Sequence, residues 1–306
     1  MNIDGNIASL PVRDDLSEDE VKTLQKKLES SLKEETDGEL DIPDDTHLVL
    51  RDHDGNIVGG VITSAKIRVM FLEVLWVDDA YRDLGYGRDL VLEAERIGSE
   101  KGYISSQVWT FDFQAPEFYQ SIGYEVIWVY DGYTDGITEI VLKKRLSPGN
   151  QEINDKTEMG DDESPDRFTI SEYKTEESEK ILRVGLNKYG EEHVGELRKK
   201  NPEIPIKLGI RDDDGIIVGG ILAGTTLKTM CITGLWIDED YRRHGYGSKL
   251  VHKAEEMAKE KGCISGQTWV LSFQAPRFFE RLGYTSFGIS DGFPKGITEH
   301  YFIKRF

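Results

Sequence analysis

The string YRDLGYGRDLV at residues 81–91 returns as YRRHGYGSKLV at residues 241–251, and the same displacement of 160 residues holds along most of the chain. It carries Leu75, Trp76 and Asp78 onto Leu235, Trp236 and Asp238, and FQAPEFYQSIGY from Phe113 onto FQAPRFFERLGY from Phe273. It also carries DGNIVGG at Asp54 onto DGIIVGG at Asp214, and DGYTDGITE at Asp131 onto DGFPKGITE at Asp291. A long, unbroken period of this kind is a duplicated domain rather than a solenoid unit. At 306 residues the chain has room for two such domains, each able to bury its own core. The expected division is 1–146 and 167–306, joined by a polar, Gly-, Ser- and Asp-containing linker at 147–166.

Within the first copy the patterning alternates between helix and strand signals. Ser17 and Glu20 have the spacing of a capping box, and Val21, Leu24, Leu28 and Leu32 make one apolar helical face. Strands are expected at 47–51 and 56–64 around an Asp54-Gly55 turn, then at 68–77, 105–110, 125–130 and 138–143. A helix starts at Gly87 and ends at Gly102, and a short one spans 116–122 with Pro116 in its first turn. The DGY/DGF and GITE segments mark a hairpin before the last strand. This is an α/β layout with a mixed sheet, made twice.

The net charge of −19 excludes a polyanion binder, which needs a basic face to displace counterions, so neither nucleic acid nor an anionic membrane is expected as partner. Acidity suits a cationic amine and also suits plain solubility. Cys231 and Cys263 are the two cysteines, and the six histidines show no ligand spacing, so no metal is expected. The sequence has no leader-like start and no apolar run of membrane-spanning length, which leads to the expectation of a soluble, cytoplasmic protein.

The segment from Arg82 to Gly87 lies between a strand and a helix, where free backbone N–H groups and the positive helix end attract phosphate. Together with the LWVD strand end and the Ala115-to-Tyr124 segment, twice over, it resembles the GNAT N-acetyltransferase superfamily. The family signature R/Q-x-x-G-x-G/A matches Arg82, Gly85 and Gly87, then Arg242, Gly245 and Gly247. The resemblance implies two tandem GNAT folds, each a splayed mixed β-sheet flanked by helices, binding acetyl-CoA and passing its acetyl group directly to a primary amine in a ternary complex. By resemblance the cofactor is held in the first copy by Trp76, Val77, Arg82, Asp83, Leu84, Gly85, Tyr86, Gly87, Arg88 and Gln114. In the second copy the corresponding positions are Trp236, Ile237, Arg242, Arg243, His244, Gly245, Tyr246, Gly247 and Ser248.

The family often protonates the departing thiolate with a tyrosine, and the matching residue is Tyr119, replaced by Phe279 in the second copy. Glu73, a carboxylate in an apolar strand, is the candidate base, and its counterpart is Thr233. The first copy is therefore expected to be catalytic and the second degenerate, although Asp83 places a negative charge in the first copy's phosphate loop. The expected acceptor is a small-molecule amine. The alternatives are a non-catalytic acyl-CoA-binding protein, or an acetyltransferase acting on a protein amine or on a thiol precursor.

Overall fold

The computed structural model describes residues 10–36, 45–146 and 168–306; the expected linker at 147–166 lies outside them. The first copy supplies β1 (Val12–Arg13), α1 (Glu18–Glu35), β2 (His47–Arg51), β3 (Ile57–Lys66), β4 (Val69–Val77), α2 (Tyr86–Glu100) and β5 (Ser105–Phe111). It continues through α3 (Pro116–Ser121), β6 (Glu125–Tyr130) and β7 (Glu139–Arg145). The second copy repeats the series as β8 (Thr169–Glu172), α4 (Glu176–Lys200), β9 (Pro205–Arg211), β10 (Ile217–Thr226), β11 (Thr229–Ile237), α5 (Tyr246–Glu260) and β12 (Ser265–Leu271). It ends with α6 (Pro276–Arg281), β13 (Thr285–Ser290) and β14 (Glu299–Arg305).

Two seven-stranded mixed sheets result, and neither is built from one copy alone. The first lobe has the order β6-β7-β5-β4-β3-β2-β8 and the second β1-β9-β10-β11-β12-β14-β13. The opening strand of each copy pairs antiparallel in the other copy's sheet, Val12 opposite Ile210 and Leu48 opposite Glu172. The helices follow their strands: α1 lies on β10 and β11, and α4 on β3 and β4. The apolar face of α1, legible at Val21, Leu24, Leu28 and Leu32, thus seals the sheet of the second copy.

The repeated VGG strings are the sockets for this exchange. A Cβ added at Gly220 would lie 2.5 Å from Leu24 Cδ2, and one at Gly60 would lie 2.8 Å from Leu182 Cδ1, so each exchanged leucine rests on bare backbone. Leu24 and Leu182 are fully buried, and each is worth about 2 kcal/mol of transfer free energy. The capping box forms as expected, with Glu20 N donating to Ser17 Oγ at 3.3 Å and Ser17 N to Glu20 at 2.7 Å. Glu20 also receives Arg211 of β9 at 2.6 and 2.9 Å, while Asp15 receives the same guanidinium at 2.9 Å. This contact holds the Glu20 carboxyl down at about 2, chiefly through the Arg211 hydrogen bonds.

The lobes meet through their last strands in a symmetric manner. Ser105 Oγ donates to Gly292 O and Ser265 Oγ to Gly132 O, both at 2.7 Å. Between them Trp109, Trp128, Trp269, Phe287 and Tyr301 form an edge-to-face aromatic cluster. Most of the tryptophans are therefore packing residues, as their bulk favours. No helix among the described residues is long and apolar enough to cross a membrane.

Candidate active site

In each sheet the parallel pair at the centre is short. β4 pairs β5 only from Val69 to Leu72, and β11 pairs β12 only from Thr229 to Ile232. Beyond those residues the strands part and leave a V-shaped opening. At the point of parting both central strands carry a bulge, with Glu73 and Thr233 as the extra residues. A bulge leaves its backbone groups outside the ladder, which puts main-chain donors where a thioester oxygen could be received. The strand edges running on to Trp76-Val77 and Trp236-Ile237 are likewise free to pair with an extended arm.

The phosphate loops cross the mouth of each V. Gly85 and Gly245 take φ of +90° and +82° and precede α2 and α5; a Cβ at either would meet nothing within 4 Å. The loop therefore turns in a left-handed conformation and keeps open space over the helix end. Gly87 and Gly247 sit against Phe118 and Phe278, a Cβ at Gly247 lying 3.3 Å from the Phe278 ring. Arg82 and Arg242 each donate Nε to a carbonyl of their own strand end, Val77 and Ile237, at 3.0 Å. These two arginines thereby brace the loop. Leu84 is exposed at the loop tip. The open geometry fits a pyrophosphate in both copies.

The charges of the two loops differ. Residues 82–89, RDLGYGRD, set two arginines against two aspartates, whereas residues 242–249, RRHGYGSK, carry two arginines, a lysine and His244 with no acid. Arg243 occupies in the second loop the left-handed position that Asp83 fills in the first, φ +67° and +61°. Burial raises Asp89 at the start of α2 above the ordinary carboxylate range.

The clefts differ as well. In the second lobe a cleft of about 740 Å³ runs from the phosphate loop (Arg242, Arg243, Gly245–Ser248) past Trp236 and Trp269 to Leu28, Glu29, Ser31, Leu32 and Glu35 of α1, with Lys66 and Glu299 at that end. One wall of the second copy's cleft is thus the first copy's helix and hairpin. In the first lobe α4 occupies the matching place. Tyr189 donates its hydroxyl to Phe113 O at 3.0 Å, the Arg82 guanidinium stacks on the Tyr189 ring at 5.2 Å, and His193 stacks on Phe113 at 5.4 Å. This bridge spans from the helix to the turn after β5. Counting from the N-caps Ser17 and Thr175, the residue of α1 that matches Tyr189 is Ser31.

The sequence-derived candidates fall as follows. Glu73 is exposed on its bulge, and its carboxylate accepts the Ser64 hydroxyl at 2.6 Å. Tyr119 is buried between Phe118 and Tyr124, and burial raises its hydroxyl pKa, which keeps it protonated. Phe279 takes the same place against Tyr284. Gln114 and Gln274 close the turn after β5 and β12, accepting from Phe111 N and Leu271 N at 3.0 and 2.9 Å. Ala115 and Ala275 hold a left-handed conformation before α3 and α6, a strained position that fixes where the short helix starts.

Sequence reasoning overlooked Glu139 and Glu299, the glutamates of the two GITE strings. They open β7 and β14, and both are buried. Burial pushes Glu139 up to about 7 against the Tyr133 hydroxyl bond, 2.9 Å, that favours its charged form. Their signal lay in the repetition of GITE itself, which a hairpin alone does not require.

A splayed mixed sheet with a glycine loop at a helix start is the architecture of a coenzyme-A-dependent acyltransferase. The profile of the acetyltransferase (GNAT) family matches residues 11–124 and again 168–284. The chain belongs to that family: it is an acyltransferase, a tandem duplication of the GNAT domain, and its cofactor is acetyl-CoA. Blasticidin-S acetyltransferase of Streptomyces morookaense is 41% identical over 93 residues, 30% of this chain and 68% of its own. Acetyltransferase Atu2258 of Agrobacterium fabrum is 30% identical over 139 residues, 45% of this chain and 98% of its own. A crystal structure of an acetyltransferase from Bacillus cereus aligns at 34% identity with a TM-score of 0.42, covering 44% of this chain and 96% of its own.

Proposed function

We propose that the protein acetylates the primary amine of a small molecule and that the cleft of the second lobe is where it does so. The observation that carries this reading is the continuity of that cleft, which joins an acid-free phosphate loop to an acceptor end lined by Glu29, Glu35 and Glu299. Arg243, His244 and the backbone N–H groups from Gly245 to Ser248 would hold the pyrophosphate, and the free edge at Trp236 and Ile237 the pantetheine arm. When bound, acetyl-CoA supplies the acetyl thioester as electrophile. The main chain at the Thr233 bulge would receive the thioester oxygen, Trp236 and Trp269 would keep water from the cleft, and the acidic end would draw a cationic acceptor. Blasticidin-S acetyltransferase, a relative by sequence, is named for acetylating a small molecule, which agrees with this acceptor class.

A second reading places turnover in the first lobe, where Glu73 and Tyr119 are both retained. There the Tyr189–Phe113 bridge stands beside a pocket of about 510 Å³ lined by Trp76, Asp78, Arg82 and Tyr189. Assay of Tyr119→Phe and of an Arg243→Glu variant against a panel of primary amines separates the two. Activity lost with Arg243→Glu and kept with Tyr119→Phe supports the second lobe, and the reverse pattern supports the first.

A further inference from the structure

The acceptor end of the second lobe's cleft contains a group that the family resemblance does not assign. Glu299, the first residue of β14, lines the cleft while being only 3% exposed. It sits opposite Leu271, the last residue of β12. Its carboxylate accepts the hydroxyl of Tyr301, two residues along the same strand face. The cleft it lines is shared by both copies: Lys66 from the hairpin of the first, whose charge acts on Glu299, lines it together with Glu29 and Glu35 of α1 and Arg281 of α6.

We infer that Glu299 is the proton acceptor for the incoming ammonium in the second lobe, and that the first copy's α1 holds that ammonium through Glu29 and Glu35. This rests on the reading of the second lobe as the working site. The step is a proton transfer: an N–H bond of the acceptor ammonium breaks, an O–H bond forms on the Glu299 carboxylate, and the freed nitrogen lone pair becomes the nucleophile. Deprotonation is obligatory because an ammonium has no lone pair to offer.

The environment suits that task. Burial raises the Glu299 pKa, while the Lys66 charge and the Tyr301 hydrogen bond oppose that rise. The net direction is upward, so the acid limb of the reaction lies above the ordinary carboxylate range. Glu29 and Glu35 offset Lys66 and Arg281, so an ionised Glu299 leaves the residues lining that end with one net negative charge. The first lobe has the same strand position in Glu139 but a threonine, Thr226, where Lys66 would be. The two carboxylates are accordingly tuned differently.

The test uses the full chain. Glu299→Gln keeps the shape and the Tyr301 partner. Acetyl-CoA affinity by calorimetry is expected to change by less than about twofold, while kcat for primary amines falls by about 10²-fold, the usual scale of a general base. The residual rate should climb with pH toward the amine's own pKa, whereas the wild type reaches a plateau. Lys66→Met, which leaves Glu299 in place, should move the acid limb to higher pH. As a readout free of turnover, 1,4-diaminobutane is titrated into protein saturated with coenzyme A, and the Glu29→Gln/Glu35→Gln variant is expected to bind it about tenfold more weakly. An unchanged rate and pH profile for Glu299→Gln, or no diamine binding to the wild type at 10 mM (on the order of a weak-ligand limit), overturns the inference while acetyl-CoA binding stands. Loss of acetyl-CoA binding by the wild type itself removes the reading beneath it.

Discussion

Tyr189, from the second copy, donates its hydroxyl to the main-chain carbonyl of Phe113, in the first, across 3.0 Å. That bond ties the exchanged helix α4 to the turn following β5, and its structural counterpart in the other lobe is Ser31, too short to reach. Besides their loop charges, the two clefts of one duplicated sequence therefore differ in a bridging side chain contributed from outside each copy. Replacing Tyr189 by Ser should open the first lobe. Calorimetry with acetyl-CoA is expected to find one strong site in the wild type and a second, weaker one in Tyr189→Ser, weaker because the loop from Arg82 to Asp89 has no net charge.

The exchanged helices rest on glycines, so stability should be sensitive there. Gly220→Ala drives a methyl against Leu24, and Gly60→Ala against both Leu182 and the Leu48 carbonyl at 2.4 Å. Each is expected to cost about 1–3 kcal/mol, the range of core overpacking, read as a lowered denaturant midpoint with unchanged slope. Gly55→Ala, in an open turn at φ +83°, should cost only about 1 kcal/mol from its backbone conformation.

Arg211 anchors α1 to the sheet it does not follow in sequence, through Glu20 and Asp15. Arg211→Ala should lower stability by about 1 kcal/mol, the scale of a bidentate, half-exposed pair. The sign of the pH effect follows from Glu20, whose folded pKa is depressed to about 2. Its contribution is complete above the ordinary glutamate range and fades as pH falls toward 2. The difference in melting temperature between wild type and Arg211→Ala should therefore shrink on acidification.

Glu139 behaves in the opposite sense. Its folded pKa is raised to about 7 by burial, so the folded state holds a proton that the unfolded chain has already lost. Stability contributed by the neutral carboxyl is full below about pH 4.5 and is lost as pH rises through 7. Glu139→Gln should be near neutral at pH 5 and stabilising by about 2–3 kcal/mol at pH 8, on the scale of 1.36 kcal/mol per pKa unit. Thermal melts at the two pH values check this directly.

Most of the fold was legible in the sequence. The capping box at Ser17 and the periodicities for β2 to β7 match the observed elements to within a residue or two, because each is specified by local chemistry. The partner of α1 was not legible. A helix with Val21, Leu24, Leu28 and Leu32 on one face declares only that it needs an apolar sheet, and two similar sheets are available; β1 and β8 are too short to register as periodic strands. The phosphate loops stood out because glycine spacing carries the chemistry itself. Glu299, Glu139 and Tyr189 did not, since burial and bridging are tertiary facts. Glu73 and Tyr119 were visible as a carboxylate and a phenol in expected places, and the structure sets Glu73 on an exposed bulge and buries Tyr119 between Phe118 and Tyr124.

The central claim is that acetyl-CoA binds in the second lobe, in a cleft walled by the first copy. Calorimetric titration of acetyl-CoA into the full chain, into Gly247→Glu and into Gly87→Glu tests it most directly, since each variant sets a carboxylate beside one phosphate loop. The expected result is a strong site in the wild type that survives Gly87→Glu and is lost in Gly247→Glu. A site that survives Gly247→Glu and is lost in Gly87→Glu would contradict the claim and return the chemistry to the first lobe.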